Sequence, residues 1–259
     1  MDAYMTDLLA AVAVVLNGVP QGLLALSLGF AAFPTALAFL VGAAGSFAFD
    51  SVATVSFQAE TIAVTGKIAS SRRERLSTVF WGGVFVLIPS LLGLNEKIVE
   101  LVGPTIVTSM MAGVGVMLAY LSVDLFESEK LSGGVSMVSA LAVWFITGDL
   151  AKTVIISVII ATIAFNILKN MGKVEQQHID FDMSNEKLTT GNIEWKIWQH
   201  PKIIAGGLGL MCLNIGANIS FGKVTGSIAG VDANIDHLAI YSSLADMFSS
   251  FFGGGPSRL

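Results

Sequence analysis

The sequence predicts an all-α polytopic membrane protein, and three observations indicate this class. Hydrophobic residues make up 54% of the 259 residues, charged residues only 13%, and the mean hydropathy is +0.75. Soluble domains carry about 25% charged residues, so this composition excludes an ordinary soluble domain. The apolar residues also fall in long runs, and a helix needs about 20 such residues to cross the hydrocarbon core.

The apolar runs define the predicted elements in order. Before the last block we expect eight spans or part-spans, at residues 8–30, 34–49, 51–66, 77–94, 98–123, 134–147, 150–168 and 203–219. The last block has a further membrane-inserted stretch at residues 238–255. Between them, residues 169–202 are polar and predict an extramembrane linker. Its end, residues 193–198, carries tryptophans and a lysine suited to the membrane interface, so it forms either an interfacial helix or a polar loop.

The remaining composition excludes several classes of function. The lone Cys212 rules out an intrachain disulfide framework, and His178, His200 and His237 are too isolated to form a metal site. The sequence has neither a nucleotide-binding glycine loop after a strand nor a plausible nucleophile and base pair. We therefore expect no enzyme, no catalytic residue and no cofactor. The net charge of −5 gives no sign of nucleic-acid binding.

The most informative polar stretch is Ser56-Phe57-Gln58-Ala59-Glu60-Thr61, which interrupts a long apolar region. An ionisable side chain at membrane depth costs at least about 2.5–3.5 kcal/mol on insertion scales, so it indicates a functional site. The alternative is that Glu60 lies at a water interface, just before the basic residues that begin at Lys67.

The residues after the linker echo the start of the chain. Asn17-Gly18 interrupts the first span, and Asn214 with Gly216 interrupts the span after the linker. About forty residues downstream of each lies a small polar patch, at residues 56–61 and 253–256. Internal symmetry with interrupted segments at corresponding positions is typical of transporters that bind their substrate between two repeats. Chance similarity between helices rich in small residues is the alternative.

Three stretches resemble one family. Residues 244–256 resemble the stretch that enters the tenth segment of nucleobase:cation symporter-2 permeases. Gly103-Pro104 with residues 109–118 resembles the fifth segment of that family, and residues 56–61 fall where it has its third, half-helical segment. The resemblance implies a uracil-permease-like fold with discontinuous half-helices and two inverted repeats of seven segments each.

The same resemblance implies a domain organisation. Residues 1–168 would be the first repeat, with core-type segments in residues 1–94 and gate-type segments in residues 98–168. Residues 169–202 would be the linker, and residues 203–259 an incomplete second repeat. We therefore expect an incomplete chain; the alternative is a naturally short protein that pairs with a second chain.

The function that the resemblance implies is proton-coupled, secondary active transport of a purine or pyrimidine nucleobase across the bacterial inner (cell) membrane. The expected partners are the nucleobase, H⁺, the lipid bilayer and a second copy in a homodimer, with no nucleic acid. Glu60 would accept from ring N–H groups or carry the coupled proton. The expected substrate-binding residues are Gln58, Glu60, Gln21, Asn17, Asn214 and Gly254.

Other interpretations stay open for these residues. Gln21 and Asn17 also suit backbone groups around Pro20, and Asn214 with Asn218 suits hydrogen bonding to a neighbouring helix. The eighth segment of the family carries an acidic residue that residues 210–220 lack. An anion transporter of the same fold and a non-transporting membrane subunit are the alternative functions.

Overall fold

The computed structural model describes residues 3–51, 56–174 and 186–258, and most of them are helical. Two strands of two residues, β1 (Ser56–Phe57) and β2 (Ser257–Arg258), accompany the helices. The prediction of a predominantly helical protein is confirmed. The helices are α1 (Ala3–Ser27), α2 (Ala32–Ala48), α3 (Ala59–Ile68), α4 (Arg72–Leu91), α5 (Leu94–Ser128), α6 (Lys130–Thr147), α7 (Leu150–Asn170), α8 (Pro201–Ala229) and α9 (Ile235–Phe251).

Four helical segments of the described chain are long and apolar enough to cross a membrane. They are Asp7–Ser27 in α1, Lys130–Thr147, Leu150–Asn170 and Pro201–Ile219 in α8. Lipid offers no hydrogen bonds to the backbone, so such segments are stable there only as helices. The lengths and composition of these four segments support a helical membrane protein.

Two helix interruptions expected from the sequence are wrong. α1 continues through Asn17 and Pro20, and α8 continues through Asn214 to Ala229. A proline removes one hydrogen bond, whereas a full break in hydrocarbon would leave several backbone groups without partners. Neither asparagine therefore caps a helix break. The inverted repeat, which rested partly on these breaks, stays a prediction.

The polar stretch at residues 56–61 forms a strand and the start of a short helix. α3 has 10 residues, which corresponds to about 15 Å and thus half a membrane span. The half-helical segment that the family resemblance implies at this position stays a prediction. α5 contains a non-helical Gly103 with φ of 75°, so that helix is kinked where Gly103-Pro104 was noted.

The linker differs from the expectation of an interfacial helix. Within residues 193–198 the chain forms only the beginning of a single 3₁₀ turn, Ile197–Gln199, as the alternative of a polar loop has it. Trp195 and Trp198 are exposed. Residues 175–185 of the linker, which include His178, lie outside the described residues.

The chain divides into two compact units. The first comprises Met1–Gln21 and Ala119–Asp180, where α6 and α7 form a hairpin that turns at a left-handed Gly148. The second comprises Gly22–Leu118 and Phe181–Leu259. The predicted division into two repeats follows similarity within the sequence, whereas these units follow contacts within the fold. The repeats therefore stay a prediction.

In the second unit, α9 packs against α2 and α4, and α8 packs against α4. Glycines permit the close approach of α4 and α8: a Cβ atom at Gly206 would lie 2.8 Å from Thr78 Cγ2. At Gly209, one turn further along α8, a Cβ atom would meet nothing within 4 Å. Leu76, Val79 and Leu210 are fully buried in the core between these helices.

Candidate functional site

The chain that enters α3 meets the chain that leaves α9. β1 and β2 pair antiparallel, with Ser56 opposite Arg258 and Phe57 opposite Ser257. The backbone N–H of Gln58 also donates to the carbonyl oxygen of Pro256 at 3.4 Å. We call this meeting of residues 56–58 and 256–258 the crossover. It fixes the position of the first turn of α3 relative to the end of α9.

A buried group of side chains lies beside the crossover. Gln58 Nε2 donates to Asp246 Oδ2 at 2.8 Å, and Gln58 Oε1 accepts from Thr61 Oγ1 at 2.6 Å. Thr61 Oγ1 also lies 3.3 Å from Asn214 Oδ1. A hydroxyl has a single proton, so these two acceptors share or compete for it. We call Gln58, Thr61, Asn214 and Asp246 the polar cluster.

The polar cluster is closed off from solvent by protein. Gln58, Thr61 and Asp246 are at most 1% exposed, and Asn214 is 5% exposed. A carboxylate in such surroundings requires hydrogen-bond donors, and the amide of Gln58 supplies one. Three helices thus contribute to one hydrogen-bonded group: α3 through Thr61, α8 through Asn214 and α9 through Asp246.

Glu60 is the second residue of α3 and is 7% exposed. Its carboxylate lies in the first helical turn, where the helix dipole favours negative charge. In sequence, Glu60 lies between Gln58 and Thr61 of the polar cluster, and its side chain is buried by protein. Its role in proton coupling stays a prediction.

Asn218 follows Asn214 by one turn of α8 and is 4% exposed. Its Nδ2 has no hydrogen-bond partner among the described residues. Residues four apart lie on the same helix face, so Asn218 continues the face that carries Asn214. A buried donor without an acceptor costs about 1–3 kcal/mol. The second asparagine therefore adds an unmet donor next to the polar cluster.

Gly254, the predicted site residue of the last block, has a structural task. Its N–H donates to Ser249 O at 2.7 Å, and a Cβ atom there would lie 2.6 Å from the backbone nitrogen of Thr35. The neighbouring Gly255 N–H donates to Thr35 Oγ1 at 2.7 Å. Only glycine fits this close approach of the turn to α2. A substrate contact by Gly254 stays a prediction.

Asn17 and Gln21 belong to the first unit, whereas the polar cluster belongs to the second. Both lie in α1, and Gln21 Oε1 is buried without a hydrogen-bond partner among the described residues. Their predicted contact with substrate stays a prediction. The alternative, in which these residues serve backbone groups around Pro20, also stays a prediction, because a proline within a continuous helix still leaves one carbonyl without its donor.

Asp246 is the residue that the choice of site residues missed. The residues on either side of Asp246 in α9 are apolar or small. The same pattern is the reason why Glu60 was chosen as a site residue. The rule that an intramembrane carboxylate indicates a site applies to it equally. The sequence thus contained the signal that marks Asp246 as a candidate, but only the fold shows that Gln58 is the partner of Asp246.

A cavity of about 260 Å³ lies in the second unit against β1. Its lining is almost wholly apolar, and Phe57 meets Phe39 there edge to face at 4.9 Å. Such a lining can pack against an apolar molecule, but it offers few hydrogen-bond partners to a polar one. The lining residues are Gly22, Ala25, Leu26, Phe30, Ala31, Ala32, Thr35, Ala36, Phe39 and Phe57.

Within the described residues, no three His, Cys, Asp or Glu side chains are grouped closely enough to hold a metal ion. Comparisons with models of protein families, with curated proteins and with solved structures give no match. The family resemblance therefore rests on the stretches quoted above, and the function has to be argued from the chemistry of the site.

Proposed function

We propose that the protein is a proton-coupled secondary transporter of nucleobases whose substrate site is the polar cluster. The observation that carries the proposal is the hydrogen bond from Gln58 to Asp246 in a protein rich in apolar helices. Buried amide and carboxylate groups at a strand and half-helix are the arrangement in which membrane transporters bind polar substrates. The family resemblance points to the same substrate class.

The chemistry of the polar cluster suits the edge of a nucleobase. A purine or pyrimidine presents ring N–H donors next to carbonyl or ring-nitrogen acceptors. The carboxylate of Asp246 or Glu60 accepts from a ring N–H, and the amide of Gln58 both donates and accepts. Asn218 Nδ2, which lacks an acceptor among the described residues, donates to a ring carbonyl. The substrate thus takes the place of hydrogen bonds within the cluster.

Gln58 links substrate to proton in this proposal. It donates to Asp246 while that side chain is a carboxylate, and it accepts from Thr61. Protonation adds an O–H donor to a group that otherwise only accepts, and this O–H is satisfied by the amide if Gln58 rotates and presents Oε1 to it. That rotation changes the donor and acceptor that Gln58 offers to the ring. Proton uptake at Asp246 or Glu60 would therefore alter substrate affinity.

The test is equilibrium binding to the purified chain in lipid nanodiscs, with adenine, guanine, hypoxanthine, xanthine, uracil and sulfate as ligands. We expect saturable binding of at least one nucleobase, and a loss of about tenfold or more in Glu60→Gln and Gln58→Ala. Asp149→Asn is the control, because Asp149 is an exposed carboxylate in the turn before α7. Binding of sulfate in place of every base favours the anion transporter. If no ligand binds, the non-transporting subunit gains support.

A further inference from the structure

We propose that Arg72 and linker residues 186–192 form a clasp that positions the crossover. The effect of the clasp on the strand pair stands on the geometry alone, whereas its effect on substrate affinity rests on the proposed function. Arg72 is a positioning residue in this account. It acts on the polar cluster through the backbone of residues 253–258.

One guanidinium group joins three distant segments of the second unit. Arg72 Nε donates to the carbonyl oxygen of Gly29 at 2.6 Å, and Nη2 donates to that of Gly253 at 3.1 Å. Nη1 donates to Asn192 Oδ1 at 3.4 Å. These acceptors lie in the turn between α1 and α2, the turn after α9 and the linker. The planar, five-donor guanidinium can reach all three at once, which a lysine ammonium cannot do with the same geometry.

The linker ties together the same two turns. Glu186 accepts from the N–H groups of Ala32 and Phe33 at 3.1 and 3.0 Å, through its two carboxylate oxygens. A carboxylate at this point caps the start of α2 and complements its dipole. At the other turn, Asn192 Nδ2 donates to Phe251 O at 3.3 Å, and Thr189 N donates to Phe252 O at 3.5 Å.

A short backbone path joins the clasp to the polar cluster. Gly253 has φ of +96°, and a Cβ atom there would lie 2.6 Å from Arg72 Nη2, so only glycine allows this approach. The Gly253 carbonyl also accepts from Ala31 N at 2.9 Å. Three residues later, Pro256 O accepts from Gln58 N. Loss of the clasp allows the turn after α9 to move, and this movement weakens the hydrogen bond from Gln58 N to Pro256 O.

The neighbouring Arg73 provides a matched control. It pairs with Glu194 at 3.1 Å, but its side chain is 58% exposed. Exposed ion pairs contribute little to stability. Removing Arg73 therefore deletes a positive charge from the start of α4, as removing Arg72 does. It leaves in place the hydrogen bonds from Arg72 to Gly29 and Gly253.

The first readout is hydrogen exchange, which needs no ligand. In Arg72→Ala we expect amide exchange at residues 28–33, 253–255 and 58 to accelerate about tenfold or more, with α8 unchanged. Arg72→Lys should not restore protection, and Arg73→Ala should match the wild type. Asn192→Ala removes only the linker side of the clasp, so it keeps the test open if Arg72→Ala does not fold. Unchanged exchange in these variants overturns the clasp.

Nucleobase affinity is the second readout. We expect Arg72→Ala to bind about tenfold more weakly or worse, with Arg73→Ala unaffected. If exchange accelerates while the wild type binds no nucleobase, the clasp stands and the proposed function fails. If exchange accelerates and affinity is unchanged, the proposed link between the clasp and the site is wrong.

Discussion

Gln58 and Asp246 lie 188 residues apart in sequence, and their side chains meet at 2.8 Å in the interior of the second unit. The contact joins the start of a half-span helix to the middle of α9. It gives a buried carboxylate a donor, and the pairing of β1 with β2 lies beside it in the chain.

The first prediction concerns the contact itself. Gln58→Leu removes a donor to a buried carboxylate, and we expect it to lower the free energy of unfolding by about 1–3 kcal/mol. Adding Asp246→Leu removes the carboxylate too, so the double variant should recover part of the loss. Unfolding of the two single variants and the double variant in detergent measures the coupling, expected at about 0.5–3 kcal/mol. Strict additivity would show that the two side chains do not interact.

A second prediction separates stability from function at Asn218. Its buried Nδ2 lacks a partner among the described residues, so Asn218→Leu replaces a desolvated donor with an apolar group of similar size. We expect the melting temperature to stay the same or rise, while nucleobase affinity falls about tenfold. A fall in melting temperature together with normal affinity would mean that Asn218 has a purely structural partner.

The third prediction compares two glycines on α8. Gly206→Ala places a Cβ atom 2.8 Å from Thr78 Cγ2, and Thr78 is held by its own hydrogen bond to Glu74 O at 2.8 Å. We expect a cost of about 1–3 kcal/mol from overpacking. Gly209→Ala meets nothing within 4 Å and gains helix propensity, so it should be neutral or stabilising by up to about 1 kcal/mol. Equal effects at the two positions would contradict the packing of α4 on α8.

The fourth prediction is a pH dependence in the turn between α6 and α7. The hydrogen bond from the Lys152 side chain holds the pKa of Asp149 below its ordinary value. Because the folded state lowers this pKa, the stabilisation is fully present above the ordinary value of about 4 and is lost as pH falls. Asp149→Asn keeps a helix-capping side chain but not the charge. Melting curves should show the wild type losing its small advantage over this variant as the pH falls below about 4.

The sequence predicted the long apolar helices well. α2, α6 and α7 begin and end within a few residues of the expected bounds, because length and hydropathy alone decide where hydrocarbon-spanning helices form. The helix at the polar stretch was predicted less well: a span was expected at residues 51–66, whereas α3 begins at Ala59 and has 10 residues. The length and hydropathy of an apolar run are local properties of the sequence.

Other features depended on contacts that no local pattern encodes. Asn17 and Asn214 looked like helix breaks, yet the requirement to satisfy backbone groups in lipid outweighs the low helix propensity of Asn and Gly. The strand pair at the crossover uses two residues from each segment, too few to give a periodic signal. Asp246 and Arg72 acquire their importance from partners across the fold, so neither could be ranked from sequence alone.

The central claim is that the polar cluster binds the nucleobase. The most direct measurement is equilibrium binding of a tritiated nucleobase to the Gln58→Leu/Asp246→Leu double variant in nanodiscs, beside the wild type. The double variant removes both polar partners, so it should recover part of the stability that the single variants lose, and a melting curve checks that it is folded. We predict that its affinity falls about 100-fold or more. Wild-type affinity in a folded double variant would contradict the account, because the substrate would then bind elsewhere.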